Sequence, residues 1–340
     1  MQYTQLGISD LNVSRVCMGC MGFGDPMDGQ HRWTLDENKS RSIIKYGLDQ
    51  GINFFDTAIA YQNGSSEQYV GKALRNMARR EDIVIATKFL PRTPQQIESE
   101  ISGKEAITQS LNQSLKNLGT DYIDLFIYHI WDYNTPILDV LTALHEAVCS
   151  GKVRAIGISN CYAWQLAKAN TLAKLEGLTP FVSAQSHYNL IMREDERELF
   201  QLCHEEKIAL TPYSPLASGR LSRNSQVQTN RLQNDAYAKM KYDHNLSQDQ
   251  ITIDRVANLA HKHNISMTEI SLAWLLKKVT APVMGVTKMH HIDAAIRAVE
   301  LELTPEEMLY LEEEYQPHAL SGIMAQNTPN MKDKIQVWTK

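Results

Sequence analysis

Residues 53–71 read NFFDTAIAYQNGSSEQYVG. A short apolar run at 53–57 leads into a loop carrying Tyr61, and a helical pattern follows. Strand, loop and helix in that order, repeated along a chain, specify a parallel sheet, because each helix returns the chain to the start of the next strand. The run also contains Asp56. Buried strands avoid carboxylates, since stripping water from a charge is costly. Taken alone, Asp56 reads as an N-cap or a turn residue. The other reading is that it serves a partner on a neighbouring strand.

Working outward, the same kind of run recurs as VCMGC at 16–20, IVIATK at 83–88, DLFIYH at 124–129, AIGIS at 155–159, VSAQSHY at 182–188, IALTPYS at 208–214 and APVMGV at 281–286. Helical patterns lie between them. DENKSRSIIKYGLDQG, EAITQSLNQSLKNLG and ILDVLTALHEAVCSG each place apolar residues on one face and end in glycine. Eight such repeats predict an α/β protein, a closed (β/α)8 or TIM barrel, because open doubly wound sheets usually have fewer strands. One domain over residues 1–340 is the expectation. Around it, MQYTQLGISDLNV reads as an N-terminal β-hairpin closing the barrel bottom. The polar stretch at about 217–250 reads as a long loop after the seventh strand. The tail at about 316–340, with its apolar IQVW, reads as a segment folded over one barrel mouth.

Composition narrows the function classes. The chain has 43% apolar and 21% charged residues and a net charge of -5, which gives no electrostatic basis for binding nucleic acid or an anionic membrane. It has no apolar run of membrane-spanning length and no signal-peptide pattern at its start. A cytoplasmic protein acting on a small molecule, as a monomer or homo-oligomer, is the expectation. Five cysteines give no even-numbered disulfide framework. Cys17 and Cys20 form a CxxC without a second half, and they read as thiols lining a strand. No metal-ligand spacing is present, so no metal is expected.

In such a barrel the C-terminal strand ends converge on one face, and that face carries the chemistry. The residues there are Asp56 with Tyr61, Lys88, His129, Ser159 with Asn160, Gln185, Tyr213 with Ser214, and Thr287 with Lys288. A tyrosine is a weak acid at neutral pH, an adjacent ammonium favours its phenolate, and a carboxylate beside the lysine keeps that lysine charged. A histidine nearby can hold a substrate oxygen or relay a proton. Asp56, Tyr61, Lys88 and His129 thus read as a proton-donating set. The plainer alternative is an Asp56–Lys88 ion pair beside an unrelated tyrosine and a capped histidine.

GINFFDTAIAYQNGSSEQYVGKAL followed by IVIATK, then LGTDYIDLFIYH, GKVRAIGISN and TPYSPLASGRL, resembles the aldo-keto reductase family in order, type and spacing, to about residue 318. The nearest likeness is to the branch of bacterial and fungal reductases related to potassium-channel β-subunits. The resemblance implies NADPH-dependent reduction of an aldehyde or ketone. It makes Tyr61 the general acid, Lys88 and Asp56 the groups that tune it, and His129 the residue that orients the carbonyl. It places NADPH (NADP+) across the barrel mouth, against Met21, Ser159, Asn160, Gln185, Tyr213, Ser214, Pro215, Leu216, Ser218, Gly219, Arg220, Arg231, Gly285, Thr287, Lys288 and His291. Phe23 and Trp131 are expected to line the substrate pocket. The chain departs from the family at Ala294 and Ala295, where Glu-Asn is common and contacts adenine. Two other readings remain at this point. One is a nicotinamide-nucleotide-sensing subunit with little turnover. The other is a barrel isomerase or aldolase using Lys88 as a Schiff-base amine.

Overall fold

The computed structural model describes residues 1–223 and 235–327. Strands β1 (Tyr3–Gln5) and β2 (Asn12–Ser14) pair antiparallel as a hairpin. Eight parallel strands follow: β3 (Cys17–Gly19), β4 (Phe54–Asp56), β5 (Val84–Phe89), β6 (Ile123–Tyr128), β7 (Val153–Ser159), β8 (Ser183–Gln185), β9 (Ala209–Leu210) and β10 (Val283–Gly285). Each pairs with its sequence neighbour, and β10 pairs with β3. A parallel bridge between Tyr213 and Val283 joins the remaining two edges. There the Val283 N–H donates to the Pro212 carbonyl at 2.8 Å. The sheet curls round as the eight repeats predict.

The two-residue period of a strand separates two apolar layers. Cys17, Phe54, Val84, Ala86, Leu125, Ile127, Ala155, Val182, Ala209 and Val283 cluster together, and Leu6, Leu11 and Val13 of the hairpin join them. Their in-between neighbours Met18, Phe55, Ile85, Phe126, Ile156, Ala184, Leu210 and Met284 belong to a second cluster with helix residues such as Leu74, Leu111 and Leu141. The first layer fills the barrel; the second packs it against the helices. Asp56, Lys88 and His129 each lie two residues beyond an inner-layer residue, Phe54, Ala86 and Ile127. Ser159 lies four residues beyond inner-layer Ala155, and Gln185 pairs with it in register, so both face inward. The strand pattern thus aims these side chains at one end of the barrel axis.

The surrounding helices include α1 (Glu37–Asp49), α2 (Ser65–Met77), α3 (Pro94–Glu98), α4 (Gly103–Leu118), α5 (Ile137–Cys149), α6 (Ala163–Leu175) and α7 (Leu199–Glu205). The glycine stop expected after α4 is present, and α1 has a polar cap besides. Asp36 caps α1 by accepting from the Lys39 N–H, and Gly119 closes α4 in the left-handed conformation. The stretch expected as a loop at 217–250 contains instead α8 (Ala236–Tyr242) and the first turn of α9 (Leu246–His263). Its polar composition hid an inward face: Ala238, Lys241 and Tyr242 are buried. Then come α10 (Met267–Leu276), α11 (Met289–Glu300), α12 (Pro305–Glu312) and α13 (Ile323–Gln326). The described part of the tail reaches the barrel mouth, where Asn327 Nδ2 donates to the Trp131 carbonyl at 2.8 Å. IQVW lies outside the described residues, as does Arg231. Cys17 and Cys20 are free and buried, on β3 and in the turn after it. No helix among the described residues is long and apolar enough to cross a membrane.

Candidate active site

Lys88, on β5, is completely buried. Its ammonium donates to Asp56 Oδ1 at 2.5 Å, to the Thr57 carbonyl at 2.7 Å and to the Tyr61 hydroxyl at 3.3 Å. Three protons meet three acceptors. The second Asp56 oxygen accepts from Gln185 Nε2 at 3.0 Å. Asp56 is therefore held from β5 on one side and from across the barrel on the other, and the reading of it as a lone cap or turn residue is excluded.

Tyr61 sits where the chain leaves the sheet, and the residues after it are strained. Gln62 and Asn63 both have positive φ, 46° and 51°, a conformation that is unfavourable for residues with side chains. The Gln62 amide offsets this. Its Nε2 lies 2.7 Å from the Asp25 carbonyl and 3.0 Å from that of His31, and its Oε1 accepts from the His31 N–H at 2.8 Å. The buried glutamine ties the 25–34 loop to the turn that presents Tyr61.

His129 faces Tyr61 edge-on, with ring centroids 6.1 Å apart. Its Nδ1 is buried and has no hydrogen-bond partner among the described residues. The His129 carbonyl accepts from Asn160 Nδ2 at 2.9 Å, and Asn160 Oδ1 accepts from the Tyr213 hydroxyl at 2.9 Å. Asn160 also has positive φ, 50°. One side-chain chain therefore runs from β6 across β7 to the segment after β9.

Burial sets the protonation states. Burial opposes the charge on Lys88, but Asp56 and Tyr61 outweigh it and hold the ammonium above its usual pKa. Burial raises the Tyr61 phenol, and Lys88 pulls it back only in part. The sequence expectation that Lys88 lowers this pKa is met as one component and reversed in the net, because desolvation of the phenolate is larger. Burial, with Lys88 nearby, lowers His129 to about 3. At neutral pH the site thus holds a charged lysine, a protonated tyrosine and a neutral imidazole. An ammonium held charged this firmly is a poor Schiff-base nucleophile.

The other predicted residues are distributed as follows. Met21 lies in the turn after β3, and Gly285 pairs with Gly19. Ser214, Ala217 and Ser218 all have positive φ, so the loop after β9 is sharply folded, and it contains Pro215, Leu216, Gly219 and Arg220. Arg220 donates to Asp243 at 2.5 Å and stacks over Tyr242. Thr287 and Lys288 lead into α11, Lys288 exposed at its N-cap, and His291 Nδ1 accepts from the Thr287 N–H at 3.4 Å. Ala294 and Ala295 are buried in α11. Trp131 is buried beside Tyr128 and Trp164, at 6.1 and 6.3 Å between centroids. Phe23 is fully enclosed in the outer apolar layer, so its ring offers no exposed face to a ligand. Sequence reasoning missed Gln62 and Lys241, because a glutamine in a loop and a lysine in a polar stretch carry no signal of burial.

The sequence profile described as the Aldo/keto reductase family matches residues 15–316. The chain belongs to the aldo/keto reductase family. Its similarity to named members spans most of their length. Versiconal hemiacetal acetate reductase of Aspergillus parasiticus is 37% identical over 94% of this chain and 98% of that protein. The aryl-alcohol dehydrogenase [NADP(+)] of Phanerodontia chrysosporium is 29% identical over 88% of this chain and 82% of its own. Among solved structures, a thermostable aldo-keto reductase crystallised with the inhibitor epalrestat superposes with a TM-score of 0.74 at 26% identity, covering 92% of this chain and 100% of that one. As an aldo/keto reductase, the chain is an oxidoreductase, and its family supports carbonyl reduction as the general activity.

Proposed function

We propose that this chain reduces an aldehyde or ketone to an alcohol with NADPH, using Tyr61 as the proton donor. The observation that carries the reading is the linkage Asp56–Lys88–Tyr61, with neutral His129 facing the phenol. When bound, the reduced nicotinamide supplies a hydride to the carbonyl carbon. Tyr61 donates its phenolic proton to the carbonyl oxygen as charge develops there, and Lys88 stabilises the phenolate left behind. Asp56 keeps Lys88 charged and fixed. His129 orients the carbonyl oxygen from the other side.

The donor set suits a dinucleotide. Ser159, Asn160 and Gln185 offer polar groups beside the reacting centre, although in this conformation the Asn160 amide is engaged by Tyr213 and the His129 carbonyl. Tyr213 offers an aromatic face, and Ser214, Ser218 and Arg220 follow it. Lys288, with Thr287 and His291, supports the choice of NADPH over NADH, as does the relative named for NADP(+). The half-exposed Trp164, packed against buried Trp131, places aromatic surface at the mouth, so aryl aldehydes head the substrate panel.

The test is NADPH oxidation with aldehydes, ketones and sugar aldehydes, for wild type and Tyr61→Phe, with NADPH binding titrated for both. Binding by both and a loss of roughly 100-fold or more in turnover for Tyr61→Phe is expected. Equal turnover by the two proteins removes Tyr61 from the acid role. Binding without turnover by either favours the nucleotide-sensing alternative.

A further inference from the structure

We propose that Lys241 is a phosphate-binding residue of the cofactor site, an inference that rests on the reductase reading above. Lysines are rarely buried, because the ammonium loses its water. Lys241, on α8, is nevertheless only 5% exposed. Its Nζ donates to the Ser214 hydroxyl at 3.3 Å. The same atom lies 4.9, 5.5 and 5.3 Å from the ring centroids of Tyr213, Tyr237 and Tyr242. Aromatic faces attract a cation and fix its position. A fold that builds such an enclosure around an ammonium has placed a positive charge at a chosen point.

That point is beside the catalytic groups. Tyr213, under the ammonium, donates to Asn160, and Asn160 donates to the carbonyl of His129. Lys241 therefore stands one aromatic ring away from the side chain that holds the His129 loop. A second cation shares its wall: the Arg220 guanidinium lies 4.9 Å over Tyr242. Arg220 is itself ion-paired with Asp243, while Lys241 brings its ammonium to the Ser214 hydroxyl, a placement that suits an anionic ligand. In a nicotinamide dinucleotide one ribose separates the nicotinamide ring from the nearest phosphate. A hydride donor serving Tyr61 and His129 would extend its pyrophosphate beyond that ribose, and the contacts through Asn160 and Tyr213 lead from His129 to Ser214 and Lys241. On binding, the ammonium exchanges the Ser214 hydroxyl for a phosphate oxygen and keeps its aromatic enclosure.

The test is fluorescence titration of NADPH and of NADH against wild type, Lys241→Met, Lys241→Gln and Lys241→Arg, with circular dichroism to verify folding. Both nucleotides carry the pyrophosphate. The neutral variants weaken both by a similar factor, about tenfold or more, as for a lost hydrogen bond to a charged group, and Lys241→Arg retains most of the affinity. Unchanged or tighter binding by the folded neutral variants overturns the proposal. So does a loss confined to NADPH, which assigns Lys241 to the 2′-phosphate. If wild type binds neither nucleotide, the reductase reading fails first, and that result is distinguishable from the others.

Discussion

Lys88 has a full set of partners and no contact with water, so its neighbours depend on it as much as it depends on them. Replacing it by methionine leaves the buried Asp56 carboxylate with Gln185 as its remaining hydrogen-bond partner among the described residues. Removing one partner of a buried pair costs about 3–5 kcal/mol. Lys88→Met is therefore expected to lower stability to urea markedly as well as turnover. Adding Asp56→Asn should restore part of the stability and none of the turnover. A variant that loses turnover at full stability would show that the pair is not a structural element. The titrating groups act in opposite pH windows. Lys88 has a raised pKa, so its stabilisation is complete below the unfolded lysine value of ~10.4 and is lost as pH rises through the higher folded value. His129 is lowered from 6.5 to about 3, so between those values the unfolded chain binds a proton that the folded one refuses. Stability should fall as pH drops through that window. Urea unfolding from pH 7 to pH 4 should show a steeper decline for wild type than for His129→Gln; parallel declines would mean that His129 is charged in the fold.

At the scale of the element, the helix contacts make a prediction whose sign local propensity gets wrong. Gly71 lies inside α2, where alanine is ordinarily better than glycine by about 1 kcal/mol. A Cβ at this position would lie only 2.1 Å from the Leu118 carbonyl oxygen at the end of α4. Gly71→Ala should thus destabilise the protein by roughly 1–3 kcal/mol, through the shift needed to relieve that contact. A rise in the melting temperature would show that α2 and α4 separate freely. The same scale explains what was legible in the sequence. The strand runs announced Asp56, Lys88 and His129 as neighbours, because each stands at the C-terminal end of an apolar run and those ends converge on one face. Apolar faces and glycine stops marked α1 and α4. Helix α8 was hidden, because AYAKMKY is short and lies within a polar stretch, and it buries its lysine against tyrosine faces, a pairing that no linear period encodes. Gln62 was hidden for a related reason: its partners are backbone carbonyls of a loop about thirty residues earlier.

Across the whole molecule the two ends of the barrel have different duties. The proposed catalytic groups lie at the C-terminal strand ends, whereas Leu6, Leu11 and Val13 of the hairpin complete the inner layer with Cys17 and Phe54. All three hairpin residues are essentially inaccessible to water, so truncating them opens a cavity rather than trimming a surface. A buried leucine cut to alanine costs about 2–5 kcal/mol. Leu6→Ala and Leu11→Ala should accordingly lower the urea midpoint substantially while KM for the carbonyl and the affinity for NADPH stay near wild type, because the strand ends that carry Lys88 and His129 are tied to one another by the barrel and not by the hairpin. Cysteine reactivity supplies an independent readout. Cys149 is exposed, whereas Cys17, Cys20, Cys161 and Cys203 are buried. A thiol reagent should therefore label the native protein quickly at Cys149 alone. Loosening the hairpin should bring Cys17, which packs directly with it, into reaction ahead of Cys161 and Cys203 in the outer layer. If Leu6→Ala changed KM as strongly as it changed stability, the two barrel ends would be mechanically coupled, and the hairpin would belong to the catalytic apparatus rather than to its foundation.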